Sequence, residues 1–178
     1  MGSSETSKLR AVLFDRDGTL VEDVPYNGDP GKVRPMTGAK AVLDSLRADG
    51  IATGVISNQS GIARGLITAE DVARVNARVE ELLGPFDVWE VCPHAEHDGC
   101  ACRKPAPGMV HSACRKLGID ASDAALIGDI GADVGAAEAA GATGVLVPTP
   151  VTRAEEVAAA RLVAPDLASA VGLLQGTP

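Results

Sequence analysis

The chain has 178 residues, of which 46% are hydrophobic and 22% are charged, so we expect a globular protein with a buried core rather than a disordered one. A formal net charge of -8 and an aromatic content of 2% argue against nucleic-acid or anionic-membrane surfaces, which need clustered Lys and Arg or stacking rings. No apolar run approaches the roughly 20 residues of a membrane span, and the N-terminal MGSSETSK lacks the apolar core of a signal peptide. We therefore expect a cytoplasmic, monomeric enzyme that acts on a small molecule, with a polar tail over residues 1–8 and one domain over residues 9–178.

Short aliphatic runs alternate with longer helical stretches along the chain. The short runs predict strands over residues 9–14, 51–57, 86–91, 124–127 and 144–147. The longer stretches predict helices over residues 38–49, 68–84, 107–117, 131–140, 152–160 and 166–174, with Thr37 and Thr68 as N-caps of the first two. Because strands that alternate with helices form βαβ crossovers, we predict an α/β fold, with a doubly wound, Rossmann-like parallel sheet and helices on both faces.

Polar side chains follow the ends of four predicted strands: Asp15 and Asp17, Ser57 and Asn58, Cys92 and His94, and Asp129. In open parallel sheets, ligands bind beyond the carboxyl ends of the strands, so these side chains are expected to converge on one site. The irregular stretch over residues 22–36 is too short for a separate domain but long for a loop, and loops of that length are often functional.

Two carboxylates, Asp15 and Asp17, lie two positions apart directly after the first predicted strand. Close carboxylates repel each other unless a cation neutralises them, and Mg²⁺ takes oxygen ligands of this kind together with a substrate phosphate. Asp129, at another strand end, supplies a third carboxylate. The alternative is a simple turn, in which Asp and Gly are common residues.

Cationic and hydrogen-bonding groups accompany these carboxylates at Ser57, Asn58, Arg103 and Lys104. A phosphoryl group requires such groups where negative charge develops during its transfer. In isolation, Arg103 and Lys104 would be interpreted as a solvated surface pair, and the segment from Asp129 to Asp133 as a helix start.

Cysteines are concentrated in one short segment, over residues 92–102. Cys92, His94, Cys100 and Cys102 form a Cys₃His set that would bind Zn²⁺ with no open position, which predicts a structural zinc loop that aims Arg103 and Lys104 at the site. His97 is the alternative histidine ligand. Cys114 is expected to be an ordinary core residue, and His111 to lie on a helix surface or in packing.

The motifs D-R-D-G-T (15–19), S-N-Q (57–59), R-K-P (103–105) and G-D-x-x-x-D (128–133) occur in that order. Together they resemble the haloacid dehalogenase (HAD) superfamily of aspartate-nucleophile phosphatases, over a match from Val12 to Asp133. The resemblance implies an aspartyl-phosphate formed on Asp15, with Asp17 as the general acid and then the general base.

The same resemblance assigns roles to the other motif residues. Ser57 and Lys104 would stabilise the transferring phosphoryl group. Asp15, the backbone carbonyl of Asp17, and Asp129 would hold Mg²⁺, with Asp133 as an orienting residue behind them. No stretch is long enough for a separate cap domain, including residues 22–36 and 65–82, which argues against the capped phosphotransferases and mutases. A non-catalytic binding module is the third class considered.

The zinc segment and the sequence S-N-Q-S-G-I-A-R-G (57–65) resemble the D-glycero-D-manno-heptose 1,7-bisphosphate phosphatases, which act in heptose biosynthesis. Histidinol-phosphate phosphatases share D-R-D-G-T and a similar zinc loop, and they are the alternative. Many heptose enzymes carry Lys where this chain has Ile130, which puts one substrate contact in doubt. The residues predicted to bind substrate are Asp23, Tyr26, Asn58, Gln59, Ser60, Arg64 and Arg103.

Overall fold

A five-stranded parallel sheet forms the centre of the molecule in the computed structural model, which describes residues 8–176. The strands are β1 (Ala11–Phe14), β2 (Ala52–Asn58), β3 (Val88–Cys92), β4 (Ala124–Gly128) and β5 (Thr143–Leu146). They lie in the order β3-β2-β1-β4-β5. Residues 1–7 of the predicted polar tail lie outside the described residues.

Six α-helices accompany the sheet in the described part of the chain: α1 (Ala39–Ala48), α2 (Ala69–Leu83), α3 (Gly108–Leu117), α4 (Gly131–Ala140), α5 (Ala154–Ala159) and α6 (Leu167–Gln175). Short 3-10 turns lie at Pro30–Lys32 and Ala121–Asp123. None of the described helices is both long and apolar enough to cross a membrane.

The two faces of the sheet bury two separate apolar clusters. Val12 and Phe14 pack on the side of α1, α2 and α6, whereas Ala11 and Leu13 pack on the side of α3 and α4. All four residues of β1 are fully buried, because successive side chains of a strand point to opposite faces and both faces are covered. This arrangement confirms the predicted doubly wound α/β fold.

Several element boundaries differ from the prediction by one or two residues. The predicted first strand at 9–14 begins at Ala11, and the predicted third strand at 86–91 lies at Val88–Cys92. Thr37 was wrong as an N-cap. Gly38 occupies that position with a φ of 81°, a left-handed conformation that glycine adopts easily, and no side chain caps α1.

The N-cap prediction at Thr68 is confirmed. Its hydroxyl accepts a hydrogen bond from the Asp71 backbone N–H at 3.0 Å, and the Asp71 carboxylate accepts one from the Thr68 N–H at 2.8 Å. This reciprocal capping box fixes the start of α2, a helix that borders the functional site.

The end of β1 is held in place by its neighbours. Phe14 pairs with Val55 of β2 and with Ile127 of β4, and the Asp15 N–H donates to the Ile127 carbonyl at 2.9 Å. Because β1 is the central strand, the residues that follow it lie at the middle of the carboxyl edge of the sheet.

Candidate active site

A cavity of about 340 Å³ lies beyond the carboxyl ends of β1, β2 and β4. Its lining brings together the predicted site residues Asp15, Asp17, Asp23, Tyr26, Asn58, Gln59, Ser60, Lys104 and Asp129. Arg64 and Arg103 lie outside this lining. Ser57 is 1% exposed at the end of β2, just beneath the residues that form the cavity wall.

The ammonium group of Lys104 lies at the floor of this cavity and uses all three of its hydrogens. It donates to Asp15 Oδ1 at 2.8 Å, to Asp133 Oδ1 at 2.6 Å and to the Ile56 carbonyl at 2.8 Å. Burial alone would lower the pKa of Lys104, but the charges of Asp133 and Asp15 raise it overall. Lys104 is therefore a permanent cation whose position is fixed by two carboxylates.

Three carboxylates converge beside Lys104. Oxygen atoms of Asp15, Asp129 and Asp133 all lie within 4.8 Å of one another. Burial raises the pKa of Asp15, and burial together with the charges of Asp15 and Asp133 raises the pKa of Asp129 to about 8. The ionised state of this cluster is therefore destabilised in the protein without a bound cation.

The cluster fits a hard divalent cation. Carboxylate oxygens are the ligands that Mg²⁺ prefers, and a divalent charge would offset the burial and the mutual repulsion that raise the pKa values of Asp15 and Asp129. Gly18, which has a φ of 84°, packs so closely against the Asp129 carboxylate that a Cβ atom at this position would clash with it. The backbone turn after β1 is thus shaped around the carboxylate.

Asn58 uses its side-chain amide on the backbone of Lys104. Its Oδ1 accepts from the Lys104 N–H at 3.1 Å, and its Nδ2 donates to the Lys104 carbonyl at 3.2 Å. This pair of hydrogen bonds ties the end of β2 to the segment that carries the cation. Asn58 was predicted to bind substrate; it lines the cavity, but its amide is engaged within the protein.

The Asp17 carboxylate does not belong to the cluster of Asp15, Asp129 and Asp133, and it accepts hydrogen bonds from two neighbours. Arg16 donates to both of its oxygens, and Gln59 Nε2 donates to Asp17 Oδ2 at 2.9 Å. The same Gln59 nitrogen donates to Ser57 Oγ at 2.8 Å. Gln59 thus connects Asp17, the predicted acid–base residue, to the hydroxyl of Ser57, which is predicted to bind the phosphoryl group. That Gln59 also binds substrate stays a prediction.

The outer wall of the cavity is partly apolar. Tyr26, Ile130 and Val151 line it and are 45%, 38% and 78% exposed. Arg64 donates to the Tyr26 hydroxyl at 3.1 Å. Burial, together with the charges of Asp17 and Asp15, raises the pKa of Asp23 in the same wall.

Arg103 lines a second depression of about 380 Å³ that adjoins the cavity at Lys104. Its Nη1 atom is buried without a hydrogen-bond partner among the described residues. A buried guanidinium nitrogen without a partner is unfavourable, so a side-chain movement that lets Nη1 donate to an anionic ligand would relieve this cost.

The predicted zinc residues converge at the end of β3. The Cys92 Sγ atom lies 3.7 Å from Cys100 Sγ, 3.1 Å from Cys102 Sγ and 3.5 Å from His94 Nδ1, while His94 Nδ1 lies 3.2 Å from Cys102 Sγ. Ligands of a tetrahedral zinc ion with Zn–S distances of about 2.3 Å are separated by similar spacings. His94 belongs to this cluster rather than the alternative, His97. The Arg103 N–H donates to Cys100 Sγ at 3.4 Å, which links the cluster to the catalytic segment.

No role was assigned from the sequence to Arg16 or to Asn76, which lie next to Asp17 or hold its neighbour. Arg16 is 1% exposed and contacts both Asp17 and Asn76 of α2. Asn76 lies on the same face of α2 as the buried residues Val72, Val75 and Val79. The helical periodicity of the sequence could have revealed it, because a single amide on an apolar helix face needs a buried polar partner.

Comparison with known proteins agrees with this geometry. The family described as HAD-hydrolase-like matches residues 101–170. The D-glycero-beta-D-manno-heptose-1,7-bisphosphate 7-phosphatase of Vibrio cholerae is 36% identical over 163 residues, which is 84% of this chain and 88% of that protein. The protein of the same name from Pseudomonas putida is 36% identical over 146 residues, 79% of this chain and 83% of its own length.

This chain belongs to the HAD superfamily. Its fold matches the crystal structure of the D,D-heptose 1,7-bisphosphate phosphatase from B. bronchiseptica, complexed with magnesium and phosphate, at a TM-score of 0.83 and 28% identity. That match covers 95% of this chain and 99% of the other. The HAD resemblance of the four motifs is thereby confirmed, while the roles of individual residues stay predictions.

Proposed function

We propose that this chain is a Mg²⁺-dependent phosphatase that hydrolyses the 7-phosphate of D-glycero-D-manno-heptose 1,7-bisphosphate and leaves the 1-phosphate. The observation that carries the proposal is the arrangement at the end of β1, where Asp15, Lys104 and Asp129 meet at the floor of one cavity. The names of its relatives supply the substrate. We further propose that the chain acts in the cytoplasm as a monomer, and that it binds neither nucleic acid nor an anionic membrane, since its net charge of -8 would repel both.

The reaction proceeds in two displacements. The Asp15 carboxylate attacks phosphorus, the bond from phosphorus to the sugar oxygen breaks, and Asp17 gives its proton to that oxygen. Water then attacks the aspartyl-phosphate, Asp17 takes a proton from the water, and phosphate leaves while Asp15 is restored. Lys104 and the Ser57 hydroxyl lie next to these residues and stabilise the charge on the transferring group.

Asp15, Asp129 and the backbone carbonyl of Asp17 would hold the magnesium ion, with Asp133 behind them as the partner of Lys104. When bound, the ion offsets the combined negative charge of the carboxylates and the phosphoryl group. The structural neighbour crystallised with magnesium and phosphate supports this assignment.

Cys92, His94, Cys100 and Cys102 would hold a structural zinc ion. All four ligand positions are taken by protein atoms, so the ion would have no place for substrate or water. Its function would be to fix the loop that ends in Arg103 and Lys104. The Arg103 N–H donates to Cys100 Sγ, which connects this end of the loop to the cluster.

A monophosphate substrate such as histidinol phosphate is the second candidate, and the cavity wall favours it. Among the described residues of the lining, Arg16 and Lys104 are the cationic ones, and both are engaged with carboxylates. Ile130 and Val151 present apolar surface where a second phosphate would need donors. For the bisphosphate, the donor would come from a cation outside this lining, either Arg103 in the adjoining depression or Arg64 beside Tyr26.

The proposal is tested by measuring phosphate release from heptose 1,7-bisphosphate, as both anomers, and from histidinol phosphate, with and without Mg²⁺. We expect Mg²⁺-dependent turnover, the highest kcat/KM on a bisphosphate anomer, and loss of turnover by at least about 10³-fold in Asp15→Asn, because an amide cannot act as the nucleophile. An Asp15→Asn enzyme within tenfold of the parent would contradict the nucleophile. Higher efficiency on histidinol phosphate would favour the second candidate.

A further inference from the structure

Arg16 stands in the sequence between the proposed nucleophile and the proposed acid–base residue, and its side chain is buried. It is 1% exposed, and burial of a charge costs free energy unless partners compensate for it. Its partners are the Asp17 carboxylate, through Nε and Nη2, and the Asn76 side chain, through Nη1 at 2.7 Å. A buried arginine at this position is therefore tied to one specific carboxylate.

The donors are divided unequally between the two Asp17 oxygens. Oδ2 accepts from Arg16 Nη2 at 3.0 Å, from Gln59 Nε2 at 2.9 Å and from Arg16 Nε at 3.2 Å. Among the described residues, Oδ1 receives a share of one bifurcated N–H, that of Arg16 Nε at 3.0 Å. Oδ2 has its lone pairs occupied, whereas Oδ1 keeps capacity for a proton.

We propose that Arg16 is a positioning residue for Asp17, which pins Oδ2 so that Oδ1 is the oxygen that carries the catalytic proton. This inference rests on the proposed phosphatase function. A carboxylic group that rotates freely presents either oxygen to the leaving group, and a fork of two N–H donors from one guanidinium fixes its plane. Proton transfer requires the donor oxygen within hydrogen-bond reach of the ester oxygen, so a fixed plane raises the rate.

Asn76 anchors the guanidinium from the opposite side. Its Oδ1 accepts from Arg16 Nη1, the nitrogen that makes no contact with Asp17, and so fixes the rotation of the fork. Asn76 lies in the second turn of α2, a helix whose start is fixed by the Thr68 and Asp71 capping box. The orientation of the Asp17 carboxylate is thus set by a helix 60 residues away in the sequence.

Arg16 could instead serve only to join β1 to α2, and the leaving group separates the two roles. Transfer from an alkyl phosphate needs a proton on the departing oxygen, whereas transfer from 4-nitrophenyl phosphate does not, because nitrophenolate leaves unprotonated. The value of kcat/KM reports the transfer of the phosphoryl group to Asp15, the step in which Asp17 donates its proton. If Asp17 is no longer positioned, kcat/KM should therefore fall on the alkyl ester and not on 4-nitrophenyl phosphate. A structural defect lowers both.

The experiment compares Arg16→Met, Arg16→Lys and Asn76→Ala in the full-length protein with Mg²⁺ present. Arg78→Met, at an exposed position of α2, is the matched control. For Arg16→Met we expect kcat/KM to fall about 10–100-fold on heptose bisphosphate and less than about threefold on 4-nitrophenyl phosphate. Arg16→Lys should recover part of the loss, Asn76→Ala should show the same selectivity at smaller size, and Arg78→Met should match the parent.

Equal losses on the two esters in both Arg16→Met and Asn76→Ala would overturn the inference, as would unchanged kinetics in both. If Arg16→Met does not fold, Asn76→Ala alone decides between selective and unselective loss, because it keeps the charge pair intact. Failure of the proposed function is recognised separately: the parent enzyme would then release no phosphate from either ester.

Discussion

At the scale of single residues, the most constrained group of the site is the Lys104 ammonium. Its three hydrogen bonds to Asp15, Asp133 and the Ile56 carbonyl place a permanent positive charge at the floor of the cavity. With Lys104 so engaged, the remaining carboxylate, Asp129, carries a raised pKa. At a cation site built from such carboxylates, Mg²⁺ is expected to compete with protons for the same oxygen atoms.

We therefore predict that Mg²⁺ affinity depends on pH. The pKa of Asp129 is about 8 in the metal-free protein, so below this pH the carboxyl is protonated and Mg²⁺ must displace the proton. The apparent Kd should rise by up to about tenfold for each pH unit below 8 and level off above it. Calorimetric titration with Mg²⁺ in buffers of different ionisation enthalpy measures both the Kd and the released proton. A Kd constant from pH 6 to pH 8 would contradict this.

Residue roles were only partly predictable from the sequence. The sequence predicted that Asp15, Asp129 and Lys104 lie together, because each follows a buried strand or belongs to a recognisable motif, and all three line the cavity, while their roles stay predictions. Arg16 was not found, because its partner Asn76 is 60 positions away and only the fold brings the two together. Asn58 and Gln59 were predicted to face substrate, but in the structure their amides donate hydrogen bonds to other protein groups. The sequence alone does not show whether an amide at a strand end bonds to a ligand or to the protein.

At the scale of elements, apolar runs located β1, β2 and β4 because these strands are buried almost throughout and therefore consist of nearly continuous apolar residues. Boundaries were less certain where backbone conformation decides them. Thr37 has the residue type of a cap, but the left-handed Gly38 precedes α1 instead. Thr68 was correctly predicted because its capping partner, Asp71, is three residues away and visible in the sequence.

The segment over residues 92–102 carries the Cys₃His cluster for which we propose a structural zinc ion. We predict that Cys102→Ser lowers the zinc content from about one ion per chain to near zero and lowers the Tm, because a closed Cys₃His site contributes to folding. Activity should fall as well, since Lys104 lies two residues after Cys102. Metal analysis by mass spectrometry and thermal unfolding measure these effects.

Cys114→Ser serves as the matched control for that variant. Cys114 is buried in α3, outside the Cys₃His cluster, so its substitution should leave the zinc content unchanged. A Cys102→Ser protein that lost zinc but kept the Tm and the activity of the parent would contradict a structural role for the ion.

At the scale of the whole molecule, the cavity adjoins a second depression at Lys104, and we propose that each would bind one part of the substrate. The floor holds the groups that any phosphate ester would use, and the apolar rim at Ile130 and Val151 offers no charge. Arg103, which lines the next depression and whose buried Nη1 has no partner among the described residues, is the cation that we propose for a distal phosphate. Substrate choice is thus expected to depend on Arg103 rather than on the residues of the floor.

Arg103→Ala is predicted to lower kcat/KM on heptose 1,7-bisphosphate by about 10–150-fold, the effect of losing one hydrogen-bond partner to a charged group. On a small monophosphate ester the loss should be less than about threefold, because no second phosphate is present to contact. The comparison of kcat/KM on the two substrates measures the difference. Equal losses on both would place Arg103 in phosphoryl transfer itself and weaken the bisphosphate assignment.

The central claim is that Asp15 becomes phosphorylated during turnover. Its most direct test is a rapid-quench single turnover with heptose 1,7-bisphosphate labelled in the 7-phosphate, followed by mass spectrometry of the peptide that contains Asp15. We predict a transient label on Asp15 that decays as labelled phosphate appears, and that depends on Mg²⁺. Release of labelled phosphate with no label on the chain at any time, or with the label on another residue, would contradict the claim.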